Sequence, residues 1–535
     1  MISKSDIMRV LRRPSLVFCV LKGYRDRKWV EQSAWFDPDW YRKESIDGNF
    51  SGLPLALHYS ITGFHPDVLP CPDFVPAEYF SLHPDARGTN PLVHYEKKGK
   101  RKGYAISYLQ AQTGCPPRHV SLMEHQAALA ETARRVGAKM KRGEPLRAVF
   151  LVYSTSMFPA RPLFDEMRKD SAFDPKIAII PDLRWKKEGD DRRRSRDREE
   201  LGRSYPENVF LNIERDKRGD WPDVLSNADL AVWNTPYSLS DFRYNPHWSV
   251  GRSFLPIHVS YGYWMSPFGN WIMQCHNLGY FWKALFENAH NTTEYRTRSR
   301  IGGKNGVCTG YVKMDALPAS KPSETGARKR VLLCPHHSVY SDGHGASRTS
   351  NFLRFADYFM ELPRIHPELD FVFRPHPHLF PRLESKTFWG KRRTDAWKAR
   401  FSEHPNVIWN EGGDYLLEFA RADAIVQDCG SFLPEWLYTG KPGCFMLRPN
   451  EPLEKEFSPF GIDCLKCYYP AREEAEIEYF LSKVILEDKD PLRQARHDFL
   501  PIVAVNHPHA AKIALENIKR SLIFLESSRL DNSLS

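Results

Sequence analysis

Four short segments hold the residues whose types and spacing could do chemistry. The first is Pro256-Ile257-His258-Val259-Ser260-Tyr261-Gly262, a histidine in an apolar run followed by a glycine turn. Two readings stand for that imidazole: a base lining a cleft, with a pKa near neutrality, or a buried structural histidine. The second is Arg374-Pro375-His376-Pro377-His378, directly after an apolar run. Prolines on both sides of His376 stiffen the loop and remove backbone donors, which leaves Arg374, His376 and, less directly, His378 to meet an anion. The third is Asp428-Cys429-Gly430-Ser431, followed by Phe432-Leu433-Pro434-Glu435. Gly430 permits a tight turn and Ser431 is placed to cap a helix whose amides would face a phosphate, with ordinary capping as the alternative. Glu435, one turn on, would accept from the hydroxyls of a ribose or polyol. The fourth is Cys334-Pro335-His336-His337-Ser338. Adjacent side chains point apart, so one imidazole at most, taken as His337, faces a ligand.

Loops of this kind need strands to present them. From Leu146 onward short β-rich runs at 148–153, 177–180, 209–213, 230–233 and 257–261 alternate with helical stretches, the pattern of a parallel, doubly wound sheet. After a polar stretch at 318–328 a second series follows at 330–334, 369–373, 407–409, 424–427 and 443–446, with helical patterns at 473–486 and 508–525. The expectation is an α/β protein with two Rossmann-like halves, 146–317 on the acceptor side and 329–525 on the nucleotide side, and a cleft between them. Ligands in such sheets sit beyond the carboxyl ends of the strands, where all four segments fall. The charged run at 186–200 reads as a solvated loop.

Ahead of these halves, Phe36-Asp37-Pro38-Asp39-Trp40-Tyr41 recurs as Phe74-Val75-Pro76-Ala77-Glu78-Tyr79, and Leu57-His58-Tyr59 recurs as Val93-His94-Tyr95. Two copies of a small aromatic helical unit over 31–104 are expected, with His58 and His94 as core or capping residues. Residues 105–145 read as a helical connector. The first 30 residues carry eight Lys and Arg against Asp6 and Asp26, most of the chain's net charge of +10, interleaved with apolar residues. Such a leader suits an anionic membrane surface or is a solvated terminus, and its apolar run is too short for the ~20 residues of a bilayer span. With no secretory cleavage pattern, the chain is expected in the cytoplasm, peripheral at most to the inner face of the plasma membrane.

A length of 535 residues, 41% hydrophobic and 27% charged, exclude a peptide or a disordered chain. Ten scattered cysteines are no disulfide framework. The sequence has no GxxxxGK[ST] or GxSxG pattern, which argues against P-loop kinase and serine-hydrolase chemistry, and no nucleic-acid module. Beyond the proline-spaced His376 and His378, assigned to an anion, nothing completes a metal site, so no protein-bound metal is expected.

In this order and spacing the four segments resemble the CDP-glycerol glycerophosphotransferase family, the teichoic acid primases and polymerases and related capsule-polymer enzymes, over about residues 146–525. Thr309-Gly310-Tyr311-Val312-Lys313-Met314-Asp315 resembles that family's GYPRND segment, and Gly440-Lys441-Pro442 adds to the match. The resemblance implies a GT-B fold with the nucleotide held mainly by the second half. It implies His258 as general base on the acceptor hydroxyl and His376 with Ser431 on the donor pyrophosphate. The remaining donor-side residues expected are Arg374, His378, Asp428, Gly430, Glu435, Lys441 and His337. The implied activity is transfer of glycerol phosphate or ribitol phosphate from a CDP-activated donor to a cell-surface glycan or teichoic-acid-like polymer, with release of CMP. No cofactor is implied beyond a diffusible Mg²⁺ on the pyrophosphate. Similar aromatic repeats flank polysaccharide-synthesis transferases, which implies a glycan- or protein-binding role for 31–104. This chain departs from the family pattern after His258, at Gly430 and at Glu435, which opens the identity of the transferred group. A GT-B glycosyltransferase using a nucleotide sugar and a non-catalytic glycan-binding or assembly protein are the alternatives.

Overall fold

The computed structural model describes residues 14–44, 53–63, 68–71, 74–106, 122–182, 187–217, 220–236, 240–266, 276–299, 301–319, 327–339, 350–411 and 414–523. Two six-stranded sheets, every neighbouring pair parallel, form its centre. The first contains β1 (Leu146–Val152), β2 (Phe173–Ile179), β3 (Leu230–Trp233), β4 (Leu255–Val259), β5 (Lys283–Phe286) and β6 (Gly306–Cys308) in the order β2-β1-β3-β4-β5-β6. The second contains β7 (Lys329–Cys334), β8 (Leu369–Phe373), β9 (Val407–Trp409), β10 (Ala424–Gln427), β11 (Gly443–Met446) and β12 (Tyr469–Ala471) in the order β12-β11-β10-β7-β8-β9. These are two Rossmann-like, doubly wound halves, as the alternation of strand and helix patterns predicts, and their pairing is GT-B-like, as the family resemblance implies. Helices cover both faces, so the strands are apolar on both. In β1, Ala148, Phe150 and Val152 enter one core while Val149 and Leu151 enter the other.

Several boundaries differ from the sequence reading. The run at 209–213 forms only a single bridge between Phe210 and Ile177, because a 3₁₀ turn at Glu207–Val209 takes up its start. Strands β5, β6 and β12, of three or four residues each, are too short to show a period. The charged run expected as a loop is the helix Lys187–Gly202. Its charges recur at helical spacing, and Arg193 is buried between Asp190 at 2.7 Å and Asp197 at 3.1 Å.

The expected domain limits also shift at both ends. The helix Leu122–Lys141, read as connector, buries Leu129, Ala133 and Val136 in the first half's core. The last helix, Ala510–Ile523, lies within the expected second half yet packs into that same first core through Ala511, Ala514, Ile518 and Leu522. Gly137 makes this approach feasible: a Cβ there would sit 2.2 Å from the carbonyl oxygen of Leu522.

At the amino terminus the two repeats build matching contacts. Tyr41 hydroxyl meets Nδ1 of His58 at 2.8 Å, and Tyr79 hydroxyl meets Nδ1 of His94 at 2.9 Å. Phe36 lies 5.5 Å from Tyr41 and Phe74 5.3 Å from Tyr79, centroid to centroid. The basic leader, placed at 1–30, is in part integral to this unit: from Pro14 it is the helix Pro14–Glu31, packed on the helix Leu55–Thr62. Gly23 sits where a Cβ would come within 2.5 Å of Ile61, and its carbonyl accepts from Ser60 Oγ at 2.8 Å. Residues 1–13 lie outside the described residues. Among the described residues no helix is long and apolar enough to cross a membrane.

Candidate active site

The second sheet changes winding direction between β7 and β10, and ligands of open α/β sheets bind at that crevice. The loops after β7, β8 and β10 converge there. His376 N–H donates to Pro335 carbonyl at 3.0 Å and Arg374 N–H to Leu333 carbonyl at 2.9 Å, which extends the pairing of β7 and β8 past their ends. Three imidazoles result side by side: His336 and His337 centroids are 4.1 Å apart, His337 and His376 3.9 Å, and His336 and His376 5.0 Å. His378 is exposed at the rim, 5.4 Å from His376. His336, which the sequence reading set aside, thus belongs to the group.

The nitrogens of His336, His337 and His376 lie within 4.8 Å of one another, a span that a metal ion could fill. Their hydrogen bonds specify a different use. A backbone N–H can only donate, so Nδ1 of His376 accepts from His378 N–H at 3.1 Å, and Nδ1 of His336 accepts from Ser338 N–H at 3.3 Å. Neutral rings held this way carry their proton on Nε2 and offer N–H, whereas a metal needs that lone pair. Burial first, then the neighbouring imidazoles and the Arg382 guanidinium, push all three down to about 3, so they are neutral donors at pH 7. Nδ1 of His337 is buried without a partner among the described residues. Neutral imidazoles grouped in this way are able to donate hydrogen bonds to an oxyanion.

Asp428 follows β10 and is fully buried. It accepts from His336 N–H at 2.6 Å and from Asn351 N–H, pinning the β7 loop to the start of the helix Phe352–Ile365. Desolvation pushes its carboxyl up to about 7. Its oxygens are spent on amides, so it does not fit as a Mg²⁺ ligand. Arg374 directs its guanidinium to Asn410 Oδ1. Gly430 faces the first half, where a Cβ would lie 3.9 Å from Met265.

Three expected donor contacts have other work in the fold. Ser431 has helical backbone angles, φ −70° and ψ −34°, and no side-chain cap; its Oγ lies 3.1 Å from Cys429 Sγ. Capping needs extended backbone at that position, and the helix it precedes is only six residues long. Lys441 Nζ donates to the carbonyls of Phe419, Ala420 and Ala422 at 3.1, 2.8 and 2.6 Å, which closes the end of the helix Tyr415–Arg421. Glu435, 1% exposed, takes Tyr415 hydroxyl at 2.5 Å on one oxygen, and on the other Lys313 Nζ at 3.3 Å, with Tyr311 hydroxyl at 3.1 Å. That carboxylate ties the halves together, and both of its oxygens already accept hydrogen bonds from the protein. Tyr263 and Tyr438, hydroxyls 2.6 Å apart, and Ser458 N–H on Met265 carbonyl at 2.8 Å continue the seam.

His258 also departs from expectation. It lies inside β4, fully buried, on the face that packs against Phe281 at 5.3 Å, and neither ring nitrogen has a partner among the described residues. Alternation explains this: Ile257 and Val259 face one core, so His258 faces the other rather than the strand end. Burial pushes it down to about 3. At the strand ends themselves stand Ser260 and Glu287, which the sequence reading did not select because it did not see β5.

These histidines set an acid limit on the fold. An unfolded imidazole binds its proton near 6.5 and these four near 3, so their stability contribution is complete above about 6.5 and is lost as pH falls toward 3. Glu287 and Asp428, raised to about 7, act with opposite sign: their contribution is complete below the ordinary carboxylate range and is lost as pH rises through about 7. Melting temperatures between pH 7 and 5 should fall, and His258→Leu should make that fall shallower by about one proton with no loss at pH 7. An unchanged acid limb in the variant would show that His258 is protonated in the fold.

No protein family matches the chain's sequence, and no curated protein does. Among solved structures, a putative UDP-N-acetylglucosamine 2-epimerase from Listeria monocytogenes aligns over 70% of this chain and 96% of its own, at 13% identity and a TM-score of 0.46. The UDP-GlcNAc 2-epimerase from Neisseria meningitidis, bound to UDP-GlcNAc, aligns over 70% and 98%, at 14% identity and a TM-score of 0.45. The wall teichoic acid polymerase TagF aligns over 75% and 94%, at 13% identity and a TM-score of 0.44. At such values the likeness adds nothing to what the two sheets already show.

Proposed function

We propose that this chain transfers a polyol phosphate, glycerol phosphate or ribitol phosphate, from a CDP-activated donor to a hydroxyl of a cell-surface glycan or teichoic-acid-like polymer, releasing CMP. The observation that carries the reading is the imidazole platform at the winding switch of the second sheet. Two rings held with the proton on Nε2, beside the Arg382 guanidinium that donates to His337 carbonyl at 3.2 Å, suit the pyrophosphate of a nucleotide donor and the charge that grows on it as CMP leaves. Any Mg²⁺ would travel with the pyrophosphate. The acceptor would come from the first half. Leu21 and Tyr24, 65% and 66% exposed on the helix Pro14–Glu31 beside Arg25 and Lys28, support contact with an anionic membrane surface carrying that acceptor.

The test is nucleotide release from CDP-glycerol, CDP-ribitol, UDP-sugars and CMP-sugars with cell-derived glycan present. Wild type should release CMP from a CDP-polyol, and His376→Ala should lose about 10²-fold or more of that rate. Release of UDP from a UDP-sugar would instead make the chain a nucleotide-sugar glycosyltransferase. Glycan binding without release from any donor would make it a non-catalytic binding protein.

A further inference from the structure

On the acceptor side a second constellation sits at the ends of β4 and β5. Ser260 follows β4 directly and Glu287 follows β5 directly, and Ser260 N–H reaches Leu285 carbonyl at 3.4 Å. Ser260 Oγ donates to Glu287 Oε1, with Gly262 carbonyl at 3.1 Å as its other neighbour. Asn291 Nδ2 donates to Glu287 Oε2 at 2.8 Å, and Asn291 itself is fixed by Asn288 Oδ1, which accepts its N–H at 2.8 Å. Glu287 is fully buried, Ser260 is 3% exposed, and Asn288 Nδ2 is buried with no partner among the described residues.

Packing alone gives no reason for this group. A buried carboxyl held by a hydroxyl and an amide, with no cation beside it among the described residues, costs free energy that an apolar residue would not. Its place has a use. The loop that Ser260 opens is the first half's side of the seam: Tyr261 carbonyl takes Tyr311 hydroxyl at 2.6 Å, and Met265 faces Gly430.

We propose that Ser260 and Glu287 are the proton relay for the acceptor hydroxyl, in the place the sequence assigned to His258; this rests on the transfer reading above. The acceptor hydroxyl gives its proton to Ser260 Oγ while the Ser260 proton passes to the Glu287 carboxylate. The acceptor oxygen forms its bond to the β-phosphorus, the bond from that phosphorus to the CMP oxygen breaks, and CMP leaves with the electron pair. Ser260 touches the substrate, and Glu287 is a positioning residue that acts through it and ends the step protonated. Burial raises Glu287 to about 7, so the relay is half loaded at neutral pH. The titratable groups facing it are the hydroxyls of Tyr263 and Tyr311, that of Tyr438 from the second half, and the Cys308 thiol, all raised by burial and neutral at that pH.

The experiment compares wild type, Ser260→Ala and Glu287→Gln on whichever nucleotide donor the wild type turns over, reading kcat, KM and donor affinity from pH 5.5 to 9. Both variants should bind donor as the wild type does and lose about 10² to 10⁴ in kcat. Wild-type kcat should rise through about pH 7, and Glu287→Gln should be flat there. Full kcat with an unchanged pH profile in Glu287→Gln overturns the relay. Should Glu287→Gln fold poorly, Ser260→Ala, which removes only one hydroxyl, takes its place, and full kcat there overturns the relay in the same way. A wild type that uses a UDP-sugar, with both variants still reduced, discards the polyol-phosphate reading and keeps the relay.

Discussion

Glu435→Ala is expected to lower the stability of the chain by about 3 to 5 kcal/mol, the usual consequence of removing one member of a buried charged pair. The carboxylate lies at 1% exposure between Tyr415 of its own half and Tyr311 and Lys313 of the other. Truncation leaves the Lys313 ammonium beside the Tyr415 ring, 4.7 Å from its centroid, with its carboxylate gone, and takes away the acceptor of the buried Tyr415 hydroxyl, while the Tyr311 hydroxyl keeps the Tyr261 carbonyl. Glu435→Gln keeps the shape and one acceptor, so it should cost less than half as much. Urea unfolding of both variants at pH 7 checks this. A loss below about 1 kcal/mol in the alanine variant would show that the seam does not depend on Glu435, and would return this residue to the polyol role that the sequence suggests.

That contrast shows where sequence reasoning stops. The two-sheet architecture was legible because β1, β7, β8 and β10 are apolar on both faces and bounded by loops, a pattern that needs no partner to be seen. The strand-end rule then found the loops after β7, β8 and β10, which do converge. It could not say what each side chain there is spent on. Lys441 looks like a cation for phosphate until the carbonyls of residues 419, 420 and 422 appear around it. Ser431 looks like a cap until its own backbone is helical. His258 sits one residue from a strand end, and the period of two turns it into the core. Glu287 was hidden for a different reason: the run ahead of it, Lys283–Phe286, was not read as a strand, so its end was never searched. The packing of the final helix against the first half is a contact across some 350 residues, such as Lys519 with Asp170 at 2.5 Å, and no local pattern announces it.

Asp428→Ala should lose both stability and donor affinity, and the two losses have separate causes. Each backbone amide left unpaired in the interior costs about 1 to 3 kcal/mol, and the substitution orphans two, those of His336 and Asn351. The donor loss comes from geometry. Asp428 holds the His336 amide and so sets the loop that carries His336 and His337, while Pro335 of the same loop holds His376 through its carbonyl. If two imidazole donors lose their aim at the pyrophosphate, about 1.5 kcal/mol or more is forfeited for each, or about 10²-fold in affinity. Asp428→Asn separates the causes, because one oxygen still accepts while its NH₂ opposes the second amide. It should fall between wild type and alanine in melting temperature. It should also lack the Asp428 share of the stability lost as pH rises through about 7, which leaves only the share of Glu287. Calorimetric titration of a CDP-polyol, with melts from pH 5 to 8, reads both. An alanine variant that melts early yet binds donor at full affinity would mean that the histidine platform is held by its proline-flanked loops alone, with Asp428 serving only the fold.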